Sequence, residues 1–249
     1  MECEVRKDEY QRVFELENSH WWYLGMQKIS FTLLSSFQHP KNLQILDAGC
    51  GTGGMTVQLK KFGSILGIDM SPEALKFCRE RKINNVKQAS IENIPTEDKA
   101  FDLVTSFDVI YHKNVEDDQK AINEFYRVLK PEGRLLVRVP AYDWLKGHHD
   151  KIVSTKRRYS KEEIINKIKK SGFEVQRATY ANTILFPIAL LKRVLEKFLN
   201  INESSDVKHL PKILNEVLKN ILSFEAFLIS KNINLPFGLS IFVLAQKPN

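Results

Sequence analysis

The chain has 249 residues, 43% of them hydrophobic and 27% charged, with 11 glycines and 9 prolines; this composition excludes collagen, extended disorder and a whole-chain coiled coil. Lys and Arg number 37 against 30 Asp and Glu, for a net charge of +7. The excess is uneven: residues 1–150 hold 20 basic and 22 acidic side chains, and residues 151–249 hold 17 and 8. Cys3, Cys50 and Cys78 are odd in number and lack CxxC spacing, which points away from a disulfide framework or structural zinc and toward a reducing, cytoplasmic setting. The polar start MECEVRKDEYQR does not read as a secretory leader. The longest apolar run, residues 184–191, is broken by Pro187 and falls short of the ~20 residues that span a bilayer.

The first 40 residues read as a helical cap. Tyr10, Val13, Phe14 and Leu16 keep a loose helical period, and Ser19 is placed to cap a second helix that runs through Leu34 and stops at Pro40. From residue 43 the pattern changes. Short apolar runs at 44–47, 64–69, 86–89, 102–107 and 134–139 alternate with helical stretches near 55–62, 72–82 and 117–129. Such alternation predicts parallel pairing in a doubly wound α/β sheet. Ser160 and Glu163 form a capping box at the head of a helix over 160–171, and Gly172 separates it from a strand over 173–180. Two apolar helical stretches, 184–199 and 210–229, flank a polar segment at 200–208 and precede a closing strand at 239–246. The chain therefore divides into a cap (1–40), a core (41–182) and a helical insertion with the last core strand (183–249).

The informative segment is Ile45-Leu-Asp-Ala-Gly-Cys-Gly-Thr-Gly-Gly54, a buried strand running into a glycine turn and then a helix. Glycine there permits positive φ and lets a ligand lie against the main chain. Asp69 closes the next strand, where a carboxylate can bind both ribose hydroxyls. Gly49, Gly51 and Gly54 satisfy G-x-G-x-x-G, so a dinucleotide and an NAD-dependent oxidoreductase are one reading. Asp47 weighs against it, because a carboxylate before the loop repels a pyrophosphate and attracts an ammonium group. S-adenosylmethionine, with adenosine at one end and an amino acid at the other, satisfies Asp47, the glycines and Asp69 together.

The stretch resembles motif I of the class I S-adenosylmethionine-dependent methyltransferases. Gly67-Ile-Asp-Met-Ser-Pro72, Ala89-Ser-Ile-Glu-Asn-Ile-Pro95, Phe101-Asp-Leu-Val104 and Leu129-Lys-Pro-Glu-Gly-Arg-Leu135 resemble that family's later motifs, over about residues 40–140. The resemblance implies a Rossmann-like sheet of seven strands, the last antiparallel. It also implies roles. Asp47 and the Gly49 carbonyl would hold the methionine ammonium, and Gly51 and Gly53 would admit the cofactor. Asp69 would bind the ribose and Met70 would pack on adenine. Ser90, where many relatives carry aspartate, and the Ile91 amide would meet the adenine edge, and Phe107 would line the methionine end. The alternatives are a non-catalytic cofactor-binding scaffold and an RNA methyltransferase, although no RNA-binding platform of interleaved basic and aromatic residues is legible and nucleic acid is not the expected partner.

Methyl transfer needs an aligned nucleophile and sometimes a base. His112, next to Tyr111 after the fourth strand, has a suitable ordinary pKa. His148 is a second candidate beyond the fifth strand, with Tyr142 and His149 as acceptor contacts beside it. Adjacent residues such as His148, His149 and Asp150 rarely share a metal, so none is expected. Arg157, Arg158 and Tyr159 read as a clamp for an anionic acceptor, and Trp22, in His20-Trp-Trp-Tyr23, as a lid or anchor. A group of bacterial methyltransferases is similar at both ends, with His-Trp-Trp early and Arg-Arg-Tyr late. Its usual Arg-Arg after the aromatic cluster is replaced here by Gly25-Met-Gln-Lys28, so that carboxylate contact does not carry over. The two late helices read as packed on each other, as a homodimer contact in place of a monomer, or as a peripheral membrane or lipid contact through residues 184–229. The expected activity is methyl transfer to a small acceptor, anionic or lipid-linked, at oxygen or nitrogen.

Overall fold

Strand burial explains the architecture. Leu43–Ala48 (β1), Gly63–Asp69 (β2) and Phe101–Phe107 (β4) bury side chains on both faces, as parallel strands do when helices cover both sides of a sheet. The computed structural model describes residues 7–36, 42–199 and 209–249; Cys3, Pro40, the 200–208 segment and the side chain of His148 lie outside the described residues. With Val86–Gln88 (β3), Leu129–Pro140 (β5), Glu174–Ala181 (β6) and Ser240–Gln246 (β7), the strands form one seven-stranded sheet in the order β3-β2-β1-β4-β5-β7-β6. β7 runs antiparallel between β5 and β6, and the pairs from β3 to β5 are parallel. The order reverses direction between β1 and β4, and a doubly wound sheet binds ligands at the carboxyl ends of the strands flanking that switch.

Helices connect these strands: Gly54–Leu59 (α3), Pro72–Glu80 (α4), Asp118–Val128 (α5), the one-turn His148–Ile152 (α6) and Lys161–Lys170 (α7). Their starts follow from local chemistry. Ser71 caps α4 ahead of Pro72, and the Asp117 carboxylate accepts from Gln119 N and Lys120 N at the head of α5. Ser160 caps α7 by accepting from Glu163 N (3.1 Å). The expected capping box is only half present, because the Glu163 side chain turns to Arg157.

The cap consists of Lys7–Leu16 (α1) and Trp21–Leu34 (α2). His20, not Ser19, caps α2: its Nδ1 accepts from Trp22 N, and the Ser19 amide still donates to Leu16 O. The insertion forms Phe186–Leu199 (α8) and Lys212–Ser230 (α9). The main helical partner of α9 is α2, not α8. Gly25 makes this geometry accessible, since a Cβ added there would lie 2.3 Å from Leu222 Cδ1. Asn215 ties the pair, accepting from Trp21 N (2.8 Å) and donating to Ser19 O (2.9 Å). The buried Glu225 of α9 accepts from Asn182 N and Ile184 N, which fixes the exit from β6.

Candidate active site

The loop after β1 sits at the topological switch. Gly49, Gly51 and Gly53 adopt φ of +85°, +53° and +87°, a region that L side chains enter only under strain. They differ in what they face. A Cβ at Gly49 would strike Val109, and one at Gly53 would lie 2.5 Å from Ile83 Cδ1, whereas one at Gly51 would meet nothing within 4 Å. The open surface is therefore at Gly51. At Gly53 the space a Cβ would take is filled by the protein itself, by Ile83 and Cys78.

Two carboxylates flank this surface. Asp47 is buried at the end of β1, accepting from Thr56 Oγ1 (2.6 Å) and Thr105 Oγ1 (3.0 Å). Burial pushes its pKa up to about 6; the two hydroxyls pull it down and the nearby Asp69 charge adds to the rise. Asp69, at the end of β2, accepts from Gly51 N and Ser71 N, both at 2.9 Å. Burial raises its pKa as well, against those amide bonds. Met70 beside it is an exposed apolar side chain, 48% accessible. Ser90 accepts from Glu92 N (3.1 Å), the Ile91 side chain is buried beneath this turn, and Glu92 in turn holds the Glu116 and Asp117 amides. The strand ends thus present a buried carboxylate, an open glycine, a second carboxylate and an exposed apolar side chain. That donor set fits S-adenosylmethionine.

The sequence did not single out the braces behind the loop. Glu17, from the segment between α1 and α2, accepts from Thr52 Oγ1 (2.6 Å) and Arg81 Nη2 (2.7 Å), and its carboxylate lies against Gly54. Burial raises the Glu17 pKa, opposed by Thr52 and Arg81. Arg81 also donates to Thr52 O and Phe14 O and stacks on Phe14. The cap is thereby fastened to the glycine loop. Cys50 and Cys78 are free thiols behind the same loop with Sγ atoms 3.9 Å apart, and Cys78 Sγ donates to Gly51 O.

Aromatic rings gather at the ends of β4 and β5. Trp22 and Phe107 converge on Arg138 of β5, whose guanidinium carbon lies 5.0 and 5.3 Å from their ring centroids. Tyr142 stacks on Tyr180 (5.6 Å) at the end of β5, beside Trp144 and Phe186. Tyr111 is buried, with its hydroxyl pKa raised by that burial, and its ring stacks on His112. His112 is tied to the main chain, with Nε2 3.0 Å from Asp108 O and a second backbone contact at Val153. Burial also lowers its pKa. These contacts tie the His112 ring to the main chain of the loop.

Arg157, Arg158 and Tyr159 each have partners within the fold. Arg158 grips Asp150 with Nε and Nη2 (2.8 and 2.9 Å) and reaches Ala141 O. Burial alone would raise the Asp150 pKa, but this guanidinium holds it low. Arg157 pairs with Glu163 and Asp118. Tyr159 is fully buried and donates to Asp118 Oδ2 (2.7 Å). His149 lies half-buried on α6. Among the described residues no three His, Cys, Asp or Glu side chains gather as a metal site.

A parallel sheet with an antiparallel seventh strand and a carboxylate-flanked glycine loop at its switch point define a class I methyltransferase, with S-adenosylmethionine as cofactor. Residues 39–217 match the family described as Methyltransferase domain, Methyltransf_31, and the chain belongs to it. It is 31% identical over 198 residues to an uncharacterized protein of Methanocaldococcus jannaschii, spanning 76% of this chain and 78% of that one. It is also 38% identical over 109 residues to the ubiquinone/menaquinone biosynthesis C-methyltransferase UbiE of Pectobacterium atrosepticum, an alignment that covers only 39% of this chain and 42% of that enzyme. A Thermotoga maritima S-adenosylmethionine-dependent methyltransferase superposes with a TM-score of 0.62 at 21% identity, covering 96% of this chain and 95% of its own. The fold likeness extends to phosphoethanolamine N-methyltransferase 2 of Haemonchus contortus, solved with S-adenosyl-L-methionine (TM-score 0.57, 23% identity, 88% of this chain and 52% of that one). The oxidoreductase and scaffold readings give way to methyl transfer.

Proposed function

We propose that this methyltransferase acts on a small acceptor bearing an anionic or lipid-linked group, at oxygen or nitrogen, in the space between the glycine loop and the cap. The observation that carries the cofactor half of the reading is the outward-facing Gly51 between the buried carboxylates of Asp47 and Asp69. When bound, S-adenosylmethionine supplies an electrophilic sulfonium methyl. The residues then have distinct tasks. Asp47, oriented by Thr56 and Thr105, receives the ammonium, and Asp69 receives the ribose hydroxyls while it holds the Gly51 amide. Met70 offers an apolar face to adenine, with Ser90 and the Ile91 amide at its edge. Trp22, Phe107 and Tyr142 wall the acceptor side and exclude water, and alignment of the nucleophile is the main contribution expected of them.

Support for an apolar or lipid-linked acceptor comes from the insertion. Ile188 (68% accessible) and Leu191 (59%) on α8, with Ile213 (82%) on α9, leave apolar stripes uncovered, the kind of surface that lies on a membrane when basic residues flank it. Among the described residues no helix is long and apolar enough to cross a membrane. Calorimetry with S-adenosylmethionine tests the cofactor assignment: saturable heat is expected, with Asp69→Asn weakening binding about tenfold or more. Equal affinity in that variant would remove the ribose role.

A further inference from the structure

We infer that Arg138 reads the methyl acceptor by holding an anionic oxygen on the guanidinium edge that Asp108 leaves open; this rests on the acceptor-site reading above. Arg138 interrupts an otherwise apolar strand segment, Leu135-Leu-Val-Arg-Val139, and its side chain is only 11% accessible. Burying a guanidinium is costly, and a buried ion pair is a weak stabiliser compared with apolar packing of similar volume. The position therefore calls for a reason beyond stability.

The geometry supplies one. Nε (2.8 Å) and Nη2 (2.5 Å) of Arg138 both donate to the same oxygen, Asp108 Oδ2. A planar guanidinium has two in-plane edges able to pair with a carboxylate, and this contact uses one of them. The other edge, Nη1 with Nη2, has no further hydrogen-bond partner among the described residues, and Nη1 is not one of the buried orphaned polar atoms. The ring centroids of Trp22, Phe107 and Phe242 lie 5.0, 5.3 and 5.8 Å from the guanidinium carbon, so aromatic rings surround the group. An oxygen at the open edge would lie among these rings, a setting that favours a flat, aromatic or conjugated anion.

The elements that meet at Arg138 are those expected to surround an acceptor. Arg138 is in register with Phe107, the last residue of β4. Asp108 follows at once with φ +59°, a left-handed turn that aims its carboxylate at Arg138. Trp22 arrives from α2, so the enclosure is complete only when the cap is seated. Tyr23 packs edge-on against Trp22 (5.1 Å), and burial raises its hydroxyl pKa. Arg138 thus offers an anion contact beside the cofactor loop, and the acceptor class is a planar carboxylate, phenolate or enolate.

The test uses the full chain saturated with S-adenosylhomocysteine, the product form of the cofactor, with benzoate and benzylamine as probes followed by NMR. Benzoate is expected to bind saturably with ring contacts to Trp22 and Phe107, and benzylamine at least about tenfold more weakly. The paired variant Asp108→Asn/Arg138→Met, which leaves no lone buried charge, is expected to lose benzoate binding about tenfold or more while S-adenosylhomocysteine affinity stays unchanged. Equal binding of the two probes, benzoate contacts away from Trp22 in the parent protein, or full benzoate affinity in the paired variant would each overturn the assignment. Failure of the parent to bind S-adenosylhomocysteine would overturn the cofactor reading beneath it instead.

Discussion

Asp47 shows how one side chain sets the conflict between fold and site. Its carboxylate is buried beneath the loop with two hydroxyl donors and, among the described residues, no cationic side chain bonded to it. A folded-state pKa of about 6, above the ordinary carboxylate value, means that the folded chain holds this proton more tightly than the unfolded one. The stabilising contribution of the protonated form is complete below the ordinary value and is lost as pH rises through about 6. Asp47→Asn is therefore expected to stabilise the cofactor-free protein at neutral pH by about 1–3 kcal/mol and to flatten its stability between pH 4 and 6, read by denaturant melts. The cofactor ammonium prefers the ionised form, so affinity for S-adenosylmethionine should fall about tenfold from pH 7 to pH 5 in the parent. The same variant should bind weakly at both values. An Asp47→Asn protein that binds as tightly as the parent would remove the ammonium role, whatever its stability.

Among the elements, the decisive contact is the one between α2 and α9. Gly25 lets the two helices approach until a Cβ would lie 2.3–2.5 Å from Leu222 Cδ1 and Cβ. Gly25→Val should force them apart at a cost of about 1–3 kcal/mol, a fall in Tm of about 2–4 °C for each kcal/mol in a chain of this size. Leu222→Ala in the same chain should recover part of that loss, because the clash is with this one side chain; full additivity of the two changes would refute the contact. This packing was not legible in the sequence. The period of α9 shows that a face is apolar, but not which helix covers it, and Gly25 reads only as a weak helix position. The core strands were legible because burial on both faces produces continuous apolar runs, and their parallel pairing followed from the alternation with helices, whereas their order in the sheet did not. The glycine loop and its two carboxylates were legible because local backbone chemistry restricts them. Arg138, Thr56, Thr105 and Glu17 were not, since their meaning comes from residues 30 or more positions away or from the opposite end of a turn; the one signal available was a lone arginine inside an apolar strand.

At the scale of the whole molecule the charge asymmetry takes on a different meaning once the pairs are known. Residues 151–249 hold 17 basic and 8 acidic side chains, yet Arg157, Arg158 and Lys167 neutralise Glu163, Asp150 and Asp118. Lys247 is buried on the Tyr126 and Leu129 carbonyls. Part of the excess is therefore structural, and a membrane attraction built on charge alone would be weak. The apolar stripes of α8 and α9 supply the other component, because side chains as open as Ile188 and Leu191 gain free energy wherever they leave water. Charge and apolar area together predict flotation with vesicles rich in phosphatidylglycerol at low salt, loss of most of it at physiological salt as exposed charges are screened, and little binding to neutral vesicles. Ile188→Glu/Leu191→Glu should abolish flotation while leaving S-adenosylmethionine affinity and Tm nearly unchanged, since neither side chain is buried in the folded chain. If the parent stays with the soluble fraction on anionic vesicles at low salt, the stripes do not serve a bilayer. If the double variant floats as the parent does, the attraction is electrostatic and α8 takes no part in it.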